Sequence, residues 1–595
     1  MTTVLDIRDL VVEGRRPGGE AVIIVNGVSL NVGKGEVLAL IGESGSGKST
    51  ISLSAMGFAR PGCRIASGAV ELNGRDIMAL TPTERHALRG REAAYIAQSA
   101  AASFNPAIRI GPQVIEAPVF HRVADASGAR AAALELYRQL DLPNPETVER
   151  RFPHQVSGGQ LQRLMAAMAM SSSPDLLILD EPTTALDVTT QIEVLKAFKR
   201  MLREKGTAAI YVTHDLAVVA QIADRIMVLR NGVVVEEGEA AQILLDPRHA
   251  YTRQLMAAHR PASRQIGADP QPDASPPSLS LRGVSAGYGA MTILSDVTFD
   301  IARGAVVGVI GESGCGKSTL ARVVAGLTPA RSGSVEINGK AAAPMLADRK
   351  RSMLQDCQMV FQMADTALNP RHRVADILGR PLTFYHGLKG RRKAERVAEL
   401  LALVDLPADF AERYPAALSG GQKQRVNLAR ALAADPTVIL CDEVTSALDT
   451  VVAAGVIELL DNLKTRLGIS YLFISHDLST VSSFADRIVV LYAGRVVEQG
   501  STREVFQPPW HPYTKLLLGS APKLEQGWLD RVSDTDEARA AKQGSVVHNA
   551  AGCAFANRCA RVIPGLCDVV APPIREPAPG HQIACHLDLR GAPLR

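Results

Sequence analysis

The sequence contains no run of about eighteen apolar residues free of charge, the length that a helix needs to cross a bilayer. Its apolar runs, such as Ala305 to Ile310, are strand-length, so the chain is not expected to span a membrane. It also lacks an excess of charge of one sign. Lys and Arg total 65 against 61 Asp and Glu, leaving a net charge of +4, which gives no electrostatic reason to expect a nucleic-acid partner. A secretory start is missing as well. The opening MTTVLDIRDLVVEG carries Asp6 and Asp9 where a signal would place basic residues and an apolar block, so the cytoplasm is the expected compartment. Cysteine is thin through the body, where Cys63, Cys315, Cys357 and Cys441 lie scattered, but Cys553, Cys559, Cys567 and Cys585 crowd near the C-terminus. What remains is ordinary globular material, with 46% apolar and 21% charged residues. At 595 residues there is room for about two to four domain-sized units.

The dominant feature is a duplication. GESGSGKST at Gly42 to Thr50 recurs as GESGCGKST at Gly311 to Thr319, VSGGQLQR at Val156 as LSGGQKQR at Leu418, and LLILDEPTTALD at Leu176 as VILCDEVTSALD at Val438. Order and spacing are kept, so two homologous units stand in tandem. The boundaries read as 1–259 for the first, 260–278 for a Pro-, Ala-, Ser- and Asp-rich linker, 279–525 for the second and 526–595 for a polar extension. Each copy runs strand, glycine loop, helix, a helical middle, then strand, loop and helix. That order predicts an α/β fold with an inserted helical subdomain.

Gly42, Gly47, Lys48 and Ser49 fit a phosphate loop set between the strand-like EVLALI and the helical ISLSAMGF. Its glycines let backbone N–H groups converge on phosphate oxygens, and Ser44, Gly45, Ser46 and Thr50 complete the cradle. Lys48 supplies a point charge to the β and γ phosphates, and Ser49 is the expected Mg2+ ligand. Gly311, Ser313, Gly314, Cys315, Gly316, Lys317, Ser318 and Thr319 repeat the set. Asp180 and Asp442 end buried-type strands, where a carboxylate holds Mg2+. Glu181 and Glu443 follow as candidate general bases for water. His214 and His476 lie at equal separations from those glutamates and are the candidate γ-phosphate contacts.

With these elements together, residues 1 to 525 resemble the ATP-binding cassette family, and the SGGQ tetrapeptide is its most specific mark. The resemblance implies ATP hydrolysis at two composite sites. The Lys48 site would be completed by Ser419, Gly420, Gly421 and Gln422, and the Lys317 site by Ser157, Gly158, Gly159 and Gln160. Gln98 and Gln362 match the glutamine that senses Mg2+ near the membrane subunits, and Asp187 and Asp449 match the loop that couples the two sites. Tyr288 matches the aromatic that stacks on adenine, whereas Gly14 takes its place in the first copy. Weaker nucleotide binding at the Lys48 site, or takeover of the stacking role by Arg15 or a neighbour, both stay open.

Asn105-Pro106, Asn369-Pro370, PRHAYTRQL and PPWHPYTKLL resemble marks of dipeptide and oligopeptide importers. Such a subunit works as a peripheral protein on the cytoplasmic face of the inner membrane. Its implied partners are two integral permeases and, through them, an extracytoplasmic solute-binding protein. The four C-terminal cysteines, spaced C-x5-C-x7-C-x17-C in a tail with little core of its own, suit either tetrahedral zinc or an iron–sulfur centre. The importer resemblance points to a 4Fe–4S cluster at Cys553, Cys559, Cys567 and Cys585, with zinc the alternative and free thiols a third option. A ribosome-acting tandem cassette would carry a long charged helical linker, a DNA-repair cassette would insert zinc modules within the units, and an exporter would add membrane helices. None of these features is present.

Overall fold

The structure is a computed structural model that describes residues 2–15, 21–183, 186–259, 275–446, 448–532, 535, 537, 540, 547 and 551–587. Residues 260–274 of the expected linker and the loop 16–20 beside Arg15 lie outside the described residues. Two units are distinguished, Met1–Arg260 with Pro522–Ser533, and Pro261–Ala521 with Asp534–Arg595.

In the first unit the strands Ala21–Gly33, Thr3–Arg15, Cys63–Leu72 and Arg75–Asp76 form an antiparallel sheet in that order. A second, six-stranded sheet runs Val233–Glu239, Arg225–Arg230, Val37–Ile41, Ala208–Val212, Leu176–Asp180 and Ala93–Ile96. All its neighbours are parallel except the first pair. The strand LLILD is apolar at its first four positions because both of its faces are covered. Leu176 and Ile178 enter the core shared with the antiparallel sheet, while Leu177 and Leu179 enter the core under the helical subdomain. The period of two thus divides one hydrophobic run between two cores. Residues 522–532 close the second of these cores: Trp528 and Leu529 are buried in it, and the Gln221 amide donates to the carbonyls of Lys523 and Glu525.

The second unit repeats this plan, with Met291–Ile301, Leu279–Tyr288, Ala330–Ile337 and Lys340–Ala341 as its antiparallel sheet. Its larger sheet has eight strands. Beyond Arg487–Tyr492 and Arg495–Ser501, the C-terminal hairpin His581–Ala584 and Ile574–Ala578 extends the edge. The buried ring of His581 lies 2.8 Å from the Glu498 carboxylate at that seam. The chain after 525, which reads in sequence as one extension, is therefore shared between the units. The tail also has more core than its composition suggests, since Ala554 and Phe555 are buried in the core of the second unit. Phe555 packs against Tyr492 and Tyr513.

Candidate functional site

In each unit the glycine loop leaves the strand Val37–Ile41 or Val306–Ile310 and enters a helix that begins at Lys48 or Lys317. Ligands of such sheets bind at the carboxyl ends of the strands, where this loop lies. Gly42 has φ +144, and a Cβ there would stand 2.1 Å from the Leu229 carbonyl oxygen. At Gly311 the figures are +151 and 2.2 Å to Leu491, so only glycine fits either position. Lys48 Nζ donates to the carbonyls of Gly42 and Glu43 at 2.7 and 2.8 Å. Lys317 Nζ does the same with Gly311 and Glu312 at 2.7 and 2.9 Å. Each ammonium is thereby held inside the curl of its loop.

The adjacent strands deliver the acids. Ser49 Oγ donates to Asp180 Oδ1 at 3.0 Å and Ser318 Oγ to Asp442 Oδ1 at 3.1 Å. These hydroxyl–carboxylate pairs are hard oxygen donors beside a phosphate loop and fit Mg2+, which prefers one or two protein oxygens plus phosphate. Burial raises the Asp442 carboxyl, opposed by Ser318 and reinforced by the charge of Glu443. Tyr95 hydroxyl donates to the other oxygen of Asp180 at 2.7 Å. That residue escaped the sequence reading, because a tyrosine in a short apolar strand looks like ordinary core.

Glu181 and Glu443 both have φ +49, a left-handed conformation uncommon for non-glycine residues and recurrent at functional sites. Backbone bonds hold them there, from Glu181 N to the Val212 carbonyl at 2.8 Å and from Glu443 N to that of Ile474 at 3.0 Å. Gln98 Nε2 donates to Glu181 at 2.9 Å, and His214 Nδ1 lies 3.0 Å from its other oxygen. In the second unit Gln362 Nε2 donates to Glu443 at 2.7 Å and His476 Nδ1 stands 3.7 Å away. Burial works against a charged ring at His214 and His476, but the neighbouring Glu181 and Glu443 carboxylates outweigh it and raise both. The His476 contact in turn holds the Glu443 carboxyl below its ordinary value. In each unit the candidate base, the candidate γ-phosphate histidine and the candidate Mg2+-sensing glutamine thus lie side by side.

The SGGQ elements resolve into separate physical tasks. Ser157 and Ser419 cap the helices Gly158–Met170 and Gly420–Leu432, accepting from the N–H of Gln160 and Gln422 at 3.3 Å. The glutamine side chains answer by accepting from the serine N–H groups, a reciprocal capping box. Gly159 and Gly421 permit close helix packing, for a Cβ would meet Thr190 Cγ2 at 2.1 Å or Val452 Cγ1 at 2.4 Å. Gly158 faces open space. Asp187 and Asp449 cap the next helices, accepting from Thr190 N at 3.0 Å and Val452 N at 3.1 Å.

The HAYT and HPYT segments also acquire a physical account. His249 and His511 accept the N–H of Tyr251 and Tyr513 at 3.1 Å. The two tyrosine hydroxyls then accept from Glu43 N at 3.1 Å and Glu312 N at 2.8 Å, bracing each phosphate loop. Tyr288 is 47% exposed beside the second loop. Strand register gives Gly14 the same place in the first unit. Leu5 pairs with Val32 and Leu72 as Leu279 pairs with Ile301 and Ile337, and Gly14 and Tyr288 stand at matching distances along their strands.

The four C-terminal cysteines lie near enough to influence one another electrostatically. Burial raises Cys553, Cys559 (to about 11) and Cys585, and the neighbouring cysteines add to each. Backbone N–H groups of Arg561 and Ile563 point at Sγ of Cys559 and Cys567, both at 3.4 Å. Soft sulfur donors with N–H support fit a thiolate-bound centre in kind. Among the described residues, however, no group of three or more His, Cys, Asp or Glu is assembled as a ligand set for a metal ion.

Two tandem nucleotide-binding sheets with paired phosphate loops, acids and signature helices define an ATP-driven motor of the transporter type. The ABC transporter family matches residues 25–184 and 294–446, and the oligopeptide/dipeptide transporter C-terminal region matches 235–281 and 497–567. Among curated relatives, the glutathione import ATP-binding protein GsiA of Salmonella choleraesuis strain SC-B67 is 38% identical over 545 residues, covering 85% of this chain and 87% of its own. GsiA of Escherichia coli K12 is 36% identical over 550 residues, covering 85% and 88%. The chain belongs to the ABC transporter family, as an ATP-binding, ATP-hydrolysing subunit. Among the described residues no helix is long and apolar enough to cross a membrane.

Proposed function

We propose that this chain energises the import of peptides or peptide-like solutes through two separate integral permeases fed by an extracytoplasmic solute-binding protein. It would act peripherally at the cytoplasmic face of the inner membrane. The observation that carries the reading is the pair of buried tyrosines, Tyr251 and Tyr513, which tie the oligopeptide-type segments to the two phosphate loops. Relatives named for glutathione import, a tripeptide substrate, support the same class. Exposed Ile108, Phe120, Phe361 and Met363, close in sequence to the Gln98 and Gln362 loops, support permease docking there.

Phosphoryl transfer is mostly positioning and charge stabilisation. Lys48 and Lys317 exchange their loop carbonyls for phosphate oxygens when ATP enters. Ser49 with Asp180 and Ser318 with Asp442 would hold Mg2+, which supplies charge neutralisation at the β and γ phosphates. Glu181 and Glu443 accept the proton of the attacking water, ADP leaves with the electrons of the broken P–O bond, and His214 and His476 hold each glutamate and the γ-phosphate in line. Reconstitution with the permeases and binding protein in liposomes tests the assignment. ATP-dependent uptake of labelled glutathione or short peptides is expected, and hydrolysis that no peptide-like solute stimulates would overturn it.

For the four tail cysteines the proposal is a 4Fe–4S cluster at Cys553, Cys559, Cys567 and Cys585, supported by the donor chemistry and the two N–H groups aimed at sulfur. Iron and a broad visible absorption band are expected in protein purified without oxygen. Stoichiometric zinc, or bare thiols, would refute it.

A further inference from the structure

The cysteine-bearing tail reaches the phosphate loop of its own unit through Arg558. Arg558, next to Cys559, donates through both terminal nitrogens to the two carboxylate oxygens of Glu312, at 2.6 and 2.9 Å. Glu312 is the second residue of the GESGCGKST loop, and its carbonyl receives the Lys317 ammonium. Both partners are buried, at 9% and 8% exposure. Arg558 also donates to the Tyr492 hydroxyl at 3.3 Å. The turn carrying it is pinned by its neighbours. Cys553 N donates to the Cys567 carbonyl at 2.7 Å, and a Cβ on Gly552 would meet that same oxygen at 2.3 Å.

The first unit sets a different cation beside its bracing tyrosine. Arg230 ends the strand Arg225–Arg230 as Tyr492 ends Arg487–Tyr492, and its guanidinium lies over the Tyr251 ring at 4.7 Å. There the positive charge beside the loop comes from the unit's own strand. In the second unit it is imported from the tail.

We propose that Arg558 is a positioning residue of the Lys317 site, clamping Glu312 so that the phosphate loop keeps its curl and the carboxylate beside it carries no net repulsion toward phosphate. A bidentate arginine–carboxylate pair fixes geometry as well as charge. Removing one partner strands the other as a buried charge. Loss of Arg558 leaves the Glu312 carboxylate as an uncompensated negative charge on the phosphate loop itself. The inference rests on reading the Lys317 loop as an ATP site.

The test is steady-state hydrolysis by the full-length chain carrying Glu181→Gln, so that turnover reports the Lys317 site. Arg558→Ala is expected to raise KM for ATP by about tenfold or more with a smaller effect on kcat, because truncating one partner of a buried charge pair leaves the other unpaired. Adding Glu312→Gln should return KM most of the way, because the stranded charge is gone. Arg558→Lys, which keeps the charge but loses the fork, should fall between, and serves if the alanine variant folds poorly. In the reciprocal Glu443→Gln chain, Arg558→Ala should leave KM at the Lys48 site unchanged. A KM within twofold of the parent, an equal shift at both sites, or a double variant worse than either single one would overturn the proposal. Should Lys317→Ala leave hydrolysis intact in the Glu181→Gln chain, it is the reading of the loop that fails, whatever Arg558 does.

Discussion

Truncating Tyr288 to alanine should weaken ATP binding at the Lys317 site by an amount that the structure bounds. The ring is 47% exposed, and a tyrosine presents roughly 200 Å² in all, so about 100 Å² is open to a base. A base covers one face, about half of that, worth roughly 1.3 kcal/mol at about 25 cal/mol per Å². This sits at the lower end of the roughly 1–3 kcal/mol measured for base–aromatic stacking and corresponds to about a tenfold rise in Kd. The measurement is calorimetric titration of a non-hydrolysable ATP analogue into the Lys48→Ala chain, where one site remains. Tyr288→Phe keeps the ring and loses only the hydroxyl, which accepts from Arg322 at 3.5 Å, and should stay within twofold. If Tyr288→Ala is also within twofold, or if Tyr288→Phe is as weak as alanine, stacking is not what the residue does. By the same reasoning the Lys48 site, with Gly14 in that place, binds more weakly in the unmutated chain. Equal affinities in single Glu181→Gln and Glu443→Gln chains would refute that asymmetry.

Either Lys48→Ala or Lys317→Ala should abolish most solute uptake in reconstituted vesicles, and normal uptake by either variant would show that two working sites are not required. Gly421→Ala should lower stability by about 1–3 kcal/mol through overpacking, since its Cβ meets Val452 at 2.4 Å. Gly420→Ala, with only Leu448 at 3.8 Å, should melt like the parent, and equal melting temperatures for the two variants would contradict the packing account. Burial pushes the His511 imidazole down to about 3, so folding requires it neutral. Its contribution is complete above the ordinary histidine value near 6.5 and is lost as pH falls from there toward 3, by up to about 1.4 kcal/mol per unit. His511→Asn keeps a capping acceptor and does not titrate. The stability difference between parent and variant should therefore shift by roughly 2 kcal/mol between pH 7 and 5, in the variant's favour, and parallel unfolding curves across that range would refute the assignment.

The sequence by itself determined the duplication and the α/β class, and it named the candidate site residues. Each of those signals is local. A glycine loop needs its glycines within a few residues, an acid at a strand tip follows its own apolar run, and a capping serine stands three residues from its glutamine. Other relations were decided only by tertiary structure. Tyr95 reaches Asp180, Tyr251 and Tyr513 brace the two phosphate loops, Trp528 closes a core of the first unit, and Arg558 clamps Glu312. These contacts join residues far apart in the chain, and no periodicity or short spacing records them. They depend on which strand edges and loop ends folding brings within hydrogen-bond distance, and that is fixed by the packing of whole sheets and helices.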